Sequence, residues 1–267
     1  MLKKKLYILS SCILLLGCDL IDYHPYDVRI TGETEVNANN IERIEKNCKG
    51  KTTIRFVTMG DSQRWYDETE DFVNAINKRN DIDFVIHGGD MSDFGVTNEF
   101  LWQRDVMNRL NVPFVTIIGN HDCLGTGKEA YKAIFGPTNF SFIAGNIKFV
   151  CLNTNALEYD YSEPIPNLEF MEKQQTERAG EFEKTVISMH ARPYADVFNN
   201  NIAKPFQYYV NQYPKLQFCT IAHDHSTSSN DIFGDGIIYY GSDCMKHRSY
   251  LLFTITSDGY EHEIIHF

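Results

Sequence analysis

The apolar run Val112 to Ile118 breaks without transition into Gly119-Asn120-His121-Asp122. A run of that length and character reads as a buried strand. A strand that stops in an amide, an imidazole and a carboxylate ends in groups that bind metal or move protons. Nothing about a strand's end requires that succession. Each member has an ordinary use alone, since Asn caps helices and His can sit satisfied in a turn. The stretch constrains the fold only if other parts of the chain bring partners to it.

Two earlier strands end in a similar way. Thr53 to Met59 runs into Gly60-Asp61-Ser62-Gln63, and Asp83 to Ile86 runs into His87-Gly88-Gly89-Asp90-Met91-Ser92-Asp93. Between them Asp67 to Arg79 has helical spacing, with Phe72, Val73 and Ile76 apolar. Thr97 to Leu110 is a second helix, with Phe100, Leu101, Val106 and Leu110 apolar and Thr97 as its cap. Alternating βαβαβ with near-continuous apolar strands predicts an α/β fold with a largely parallel sheet covered by helices. Ligand sites in such sheets lie at the carboxyl ends of the strands, where all three motifs fall.

The second half is richer in strands. Ser141-Phe142 and Ile147 to Leu152 read as a hairpin turning at Ala144-Gly145-Asn146. Lys184 to Met189 ends at His190, and Leu216 to Ala222 ends at His223-Asp224-His225. Residues 167–178 and 206–213 read as helices. Ile237 to Tyr240, Tyr250 to Thr256 and Glu261 to His266 read as further strands. No repeat or low-complexity segment interrupts the pattern.

Five strand ends thus offer Asp61 with Gln63, Asp90, Asn120, His190, and His223 with His225. Carboxylates, imidazoles and amide oxygens suit Mn, Fe, Zn or similar ions, and no all-Cys set suggests a structural zinc. His-x-His puts both rings on one face of an extended segment. Seven ligand atoms exceed one tetrahedral ion and fit two ions sharing a bridging carboxylate. Two metals about 3.5–4 Å apart can clamp a phosphate for in-line attack.

This order of motifs resembles the calcineurin-like metallophosphoesterase superfamily across residues 52–267. The resemblance rests on Asp61-Ser62-Gln63, Gly89-Asp90-Met91-Ser92-Asp93, Gly119-Asn120-His121-Asp122, the lone His190, and Ala222-His223-Asp224-His225. It implies a four-layer α/β/β/α sandwich with two divalent metal ions at one sheet edge. It implies that Asp61, Gln63 and His225 hold one metal, that Asp90 bridges, and that Asn120, His190 and His223 hold the other. It makes His121 the general acid and Asp93 the residue that orients it, with a metal-bridging hydroxide as nucleophile on a phosphorylated small-molecule substrate. Asp122 is left to a supporting or capping role.

The departures carry information. Gln63 stands where the family has His, and its harder amide oxygen favours Mn or Mg over Zn. That Gln resembles manganese-dependent ADP-ribose/CDP-alcohol pyrophosphatases, though one residue does not assign a substrate. Ala222 replaces Gly. No Arg follows Asp93, unlike Ser/Thr protein phosphatases, and the Tyr of purple acid phosphatases is missing. A non-catalytic surface lipoprotein that keeps the scaffold for binding is the competing class, and the intact His121 counts against it.

Other titratable and aromatic residues have plainer readings. His87 fits a core or supporting role, and His24, His247, His262 and His266 fit structural ones. Trp65 and Tyr66 can line a substrate pocket or pack in the core. Arg192 and Tyr194 can touch phosphate or lie on the surface. Cys151 and Cys219 sit in apolar strands as small core residues.

Composition bounds the partners. The chain has 267 residues and a formal charge of -11, which argues against broad nucleic-acid binding through charge, and no specific nucleic-acid partner is evident. Residues 1–17 read as a signal peptide, with Lys3-Lys4-Lys5 before an apolar Leu6–Leu16 too short to span a membrane comfortably. Leu15-Leu16-Gly17-Cys18 resembles a bacterial lipobox, which implies cleavage before a lipidated Cys18, a membrane anchor and a cell-envelope location on the periplasmic or surface face. A plain secretory signal and an uncleaved anchor are the alternatives. Residues 18–51 then form a tether and the first edge of the domain, with a short helix around Asn39 to Lys46, and residues 52–267 form the catalytic domain.

Overall fold

In the computed structural model, which describes residues 24–156 and 163–267, the chain opens with helix α1 (Val36–Cys48). There follow β1 (Ile54–Met59), α2 (Tyr66–Asn77), β2 (Phe84–His87), α3 (Thr97–Met107) and β3 (Phe114–Thr116). A single turn at His121–Cys123 leads to α4 (Gly127–Phe135), then β4 (Phe140–Ala144) and β5 (Ile147–Leu152). The remainder is α5 (Leu168–Thr176), β6 (Lys184–Met189), α6 (Ala203–Val210), β7 (Leu216–Ile221), β8 (Ser228–Asn230), β9 (Tyr239–Gly241), β10 (Ser249–Ile255) and β11 (Tyr260–His266). Cys18 and the residues read as a signal peptide lie outside the described residues.

The strands gather into two sheets, ordered β11-β10-β1-β2-β3 and β4-β5-β6-β7-β9-β8. β1, β2 and β3 are parallel, whereas β10 and β11 extend that sheet antiparallel. In the second sheet β5, β6, β7 and β9 run parallel between the antiparallel β4 and β8. The hairpin of β4 and β5 turns at Gly145-Asn146.

Side-chain alternation explains why the central strands read as unbroken apolar runs: both faces are buried. Phe56, Phe84, Phe149, Phe218 and Phe253 point between the sheets, where Phe56 stacks on Phe84 and Phe253 with centroids 5.3 and 5.2 Å apart. Val57 and Val85 face the other way, beneath Phe72, Phe100, Tyr131 and Phe135 of α2, α3 and α4. Val150, Leu152 and Ile187 turn outward to meet Met171 of α5 and Phe206 of α6. The result is the four-layer α/β/β/α sandwich. Each fully buried Phe or Leu stabilises it by about 1.5–3 kcal/mol.

Several helices differ from the sequence reading. α1 is longer, because Val36, Asn40, Ile44 and Cys48 form a buried stripe that covers the edge shared by β3 and β4. α6 starts three residues earlier, since Pro205 falls in the first turn, where its missing N–H is not needed. Thr97 does not cap α3. Its hydroxyl donates to the Asp27 carbonyl at 2.9 Å. The Glu99 carboxylate instead reaches back to accept from the Phe94 and Val96 N–H groups at 3.1 and 3.2 Å. Helix α4 and strand β8 were not foreseen.

Candidate metal centre

The candidate ligands come from loops at the carboxyl ends of β1, β2, β3, β6 and β7, the edge at which both sheets' parallel strands terminate. The loops are sharply bent there. Asp61, Asp90, His223 and His225 have φ values of 51°, 57°, 65° and 49°, in the left-handed region. Side-chain-bearing residues adopt it at a cost of about 1–3 kcal/mol and cluster in functional sites when they do. Two glycines admit the close approach. A Cβ on Gly89 would come within 2.7 Å of His190 Nδ1, and Gly119 abuts the Asp90 backbone and carboxylate.

Asp122 braces these bends. It is fully buried, and Oδ2 accepts from the N–H groups of Asp90 and Gly119, both at 2.9 Å. Its Oδ1 accepts from Met91 and Ser92 N–H at 2.9 and 2.8 Å, and from Ser92 Oγ at 3.1 Å. One carboxylate thereby ties the loop after β2 to the loop after β3. His87 does the same for the loop after β1. Its Nδ1 accepts from Gly89 N–H at 3.2 Å, so Nε2–H donates to Ser62 Oγ at 2.7 Å. Burial holds the His87 ring pKa down to about 3, and the ring is neutral.

Six of the seven predicted ligands come together, and Gln63 lines the cleft beside His225. The donor atoms of Asp61, Asp90 and His225 form one trio within 4.8 Å, and those of Asp90, His190 and His223 form another. Asp90 belongs to both. Asn120 Oδ1 lies 3.0 Å from His190 Nε2 and 2.9 Å from His223 Nδ1. His190 Nδ1–H donates to the Gly88 carbonyl at 2.8 Å, which turns Nε2 toward Asp90 Oδ2 at 3.3 Å. His223 Nε2 meets Asp196 at 2.8 Å. Imidazoles held this way by an outer oxygen are oriented for metal. His225 Nε2 stands 3.2 Å from Asp61 Oδ1.

One orphaned atom fits a metal. Gln63 Oε1 is buried without a hydrogen-bond partner, an arrangement costly unless something cationic satisfies it. The charges point the same way. Burial opposes ionisation of His190, but the Asp90 charge outweighs it and raises the ring to about 10. Burial likewise opposes the Asp90 carboxylate, and His190 holds it below the usual range. The hydrogen bond to Asp61 raises His225. Such a carboxylate-rich cluster takes up protons where cations are lacking.

His121 lies outside both trios. Its backbone N–H donates to Asp90 Oδ1 at 2.9 Å, and ring Nδ1 faces the Asp93 carbonyl at 2.9 Å. The side chain is 37% exposed. The Asp93 carboxylate stands 3.8 Å from Nδ1 and is held by Arg64, so Asp93 meets His121 chiefly through its backbone. A cleft of about 310 Å³ opens beside Gln63, His121 and His225, with Arg64, Trp65 and Lys246 on its walls. Lys246 Nζ sits 5.5 Å from the Trp65 ring centre. His247 also lines the cleft and hydrogen bonds Asp243 at 2.9 Å. Arg192 is engaged by Asp224 at 2.6 Å, and Tyr194 packs near Phe233.

The sequence reading gave Asp122 a supporting or capping role without its partners, and it missed the outer partners Gly88 and Asp196, and Arg64.

A mixed α/β sandwich with two candidate ligand groups sharing one carboxylate defines the class as metallo-dependent phosphatase-like. Residues 54–227, more than half of the chain, match the calcineurin-like phosphoesterase family, and the chain belongs to it. The fold is similar to a dimetal phosphatase from Danio rerio, with a TM-score of 0.63 at 12% identity over 80% of this chain and 98% of that one. It is similar to GAP50 of Plasmodium, described as the anchor in the inner membrane complex, with a TM-score of 0.59 at 13% identity over 81% and 85%. It is also similar to the yellow lupin purple acid phosphatase PPD1, with a TM-score of 0.54 at 16% identity over 82% of this chain and 55% of that one. No curated protein matches the chain by sequence.

Proposed function

We propose that this chain hydrolyses a phosphoester bond (in a phosphomonoester, phosphodiester or pyrophosphate) with two divalent ions, Mn favoured, and with His121 as general acid. We also propose that Cys18 is lipidated and anchors it in a bacterial cell envelope. The observation that carries the catalytic reading is the pairing of two candidate ligand trios that share Asp90 with an anchored imidazole outside them. Asp61, Gln63 and His225 would hold one ion, Asn120, His190 and His223 the other, and Asp90 both. When bound, such ions activate water and neutralise charge on a transferring phosphoryl group.

The chain's own groups do the rest. The Asp93 carbonyl only accepts, so Nδ1 of His121 carries a proton. As general acid the ring would therefore deliver its proton to the leaving oxygen from Nε2. The His121 N–H fixes the ring's base to the shared ligand Asp90, so acid and metal cluster move as one unit. Asp93 is a positioning residue, held in turn by Arg64. Gln63 supports the Mn preference through its buried, unpartnered oxygen.

The test is turnover of p-nitrophenyl phosphate, its bis ester and a nucleoside diphosphate sugar with Mn, Fe, Zn or Mg. Hydrolysis of at least one is expected, falling about 10²–10⁴-fold in His121→Ala at unchanged metal content. No turnover with any metal would leave the non-catalytic binding reading. Unchanged turnover in His121→Ala would remove the assigned acid.

A further inference from the structure

Three apolar side chains from three separate segments stand exposed together at the His121 edge. They are Phe94 at 57%, Leu124 at 41% and Tyr26 at 36%. Their adjacency is set by backbone packing. Gly95 lies against the Leu124 carbonyl, and the Tyr26 ring lies on Gly125. Phe94 follows Asp93, whose carbonyl meets the His121 ring, and the Leu124 N–H donates to the His121 carbonyl at 3.2 Å. The patch therefore borders the proposed acid. Isolated exposed apolar residues are ordinary, but a cluster rimming a functional site marks an interaction surface.

The third member, Tyr26, belongs to the stretch that leads back to Cys18. That stretch is pinned to the same edge. Thr126 Oγ1 donates to the Tyr26 carbonyl at 2.6 Å, and Thr97 Oγ1 to the Asp27 carbonyl at 2.9 Å. Arg104 Nη1 donates to the carbonyls of Thr31 and Glu33 at 2.6 and 2.8 Å. From Cys18 to His24 is six residues, a reach of about 20 Å at full extension. A lipid on Cys18 would thus keep a bilayer within that distance of the patch. A net charge of -11 offers no attraction to anionic headgroups, while Phe, Leu and Tyr are the residue types that settle into a lipid interface.

We infer that the Tyr26–Phe94–Leu124 edge docks on the surface of the bilayer that holds the lipid anchor, and so presents the metal cleft to phosphoesters carried at that surface. This rests on the proposed anchor at Cys18. The occupant is the lipid surface, drawn by apolar contact and independent of headgroup charge.

The experiment reconstitutes the full lipidated chain in phosphatidylcholine vesicles containing a doxyl-labelled phosphatidylcholine. Trp102→Phe leaves Trp65, which lines the cleft, as the sole tryptophan. Quenching of Trp65 is expected. Phe94→Asp with Leu124→Asp should relieve at least half of it while the chain still floats with the vesicles and unfolds at the same temperature. Phe94→Gln with Leu124→Gln, a milder pair, should relieve it in part. A chain that does not float fails at the anchor and takes the inference with it. A chain that floats with no quenching, or with quenching unaltered by both pairs, sinks the docking face alone. Patch-dependent dimerisation in place of vesicle contact would assign the edge to a second copy and equally overturn it.

Discussion

Asp122 and Gln63 show how much of this site turns on single atoms. Asp122 accepts five hydrogen bonds, four of them from backbone N–H groups. Asp122→Asn keeps the size but turns an N–H₂ toward two of those donors. Leaving buried donors unmet costs about 1–3 kcal/mol each, so a loss of roughly 2–4 kcal/mol in urea unfolding is expected, together with lowered Mn content. Unchanged stability would mean the loops are held elsewhere. Gln63→Ala removes a buried oxygen with no protein partner, and its Mn affinity, measured by titration, is expected to fall roughly tenfold or more. Asn120, His190, His223 and His225 were legible because each follows an apolar run. The duties of Asp122 were not, because its partners Met91 and Ser92 are 31 and 30 residues away.

Element by element, the exposed edge of the first sheet is what α1 resolves. Asn37 on this helix mimics a neighbouring strand. Its Oδ1 accepts from Thr116 N–H at 2.8 Å, and its Nδ2 donates to the Thr116 carbonyl at 3.0 Å. That closes β3, whose outer groups would otherwise be open to pairing. Asn37→Ala is expected to cost about 2–4 kcal/mol in chemical denaturation. A cost under about 0.5 kcal/mol would show that water replaces the amide. β5 carries a different burden. Lys148 is fully buried and donates to the carbonyls of Gln174 and Glu177, both at 2.7 Å. Burial pushes its pKa down from 10.5 to about 8. Between those pH values the unfolded chain binds the extra proton, so stability relative to Lys148→Met rises with pH across that window. The gain is at most about 3 kcal/mol. Paired unfolding curves at pH 7.5 and 10.5 measure it, and a fall in that difference would reverse the assignment.

For the whole molecule, ligands from both sheets meet at one edge, so metal binding and folding are linked. An ion held only by the folded chain adds about 2.7 kcal/mol at one hundred times its dissociation constant. For a chain of this size that is a rise in Tm of roughly 5–10 °C. Mn should produce that rise in the wild type, a smaller one in Gln63→Ala, and none after chelation. A Tm indifferent to Mn would separate the cluster from metal altogether. The parallel strands were legible at this scale from the alternation of strands and helices. The antiparallel direction of β10 was not, because its buried apolar run reads the same as that of a parallel strand, and β11 is a largely exposed edge strand with no such run.

The sequence alone determined which residues end strands in metal-binding or proton-moving groups, and in what order, because strand periodicity and side-chain chemistry are local properties. It also determined the family resemblance, which rests on those same motifs. Tertiary structure brought the candidate ligands together, since Asp61 and His225 meet across 164 residues and Asp90 and His190 across 100. It decided that Asp122 braces the bends at Asp90 and Gly119, and that Asn37 closes the sheet edge. It also decided that the segment around Tyr26 and Asp27 lies along the rim beside His121. Those are contacts between distant segments, and distance in space is what a one-dimensional pattern does not carry.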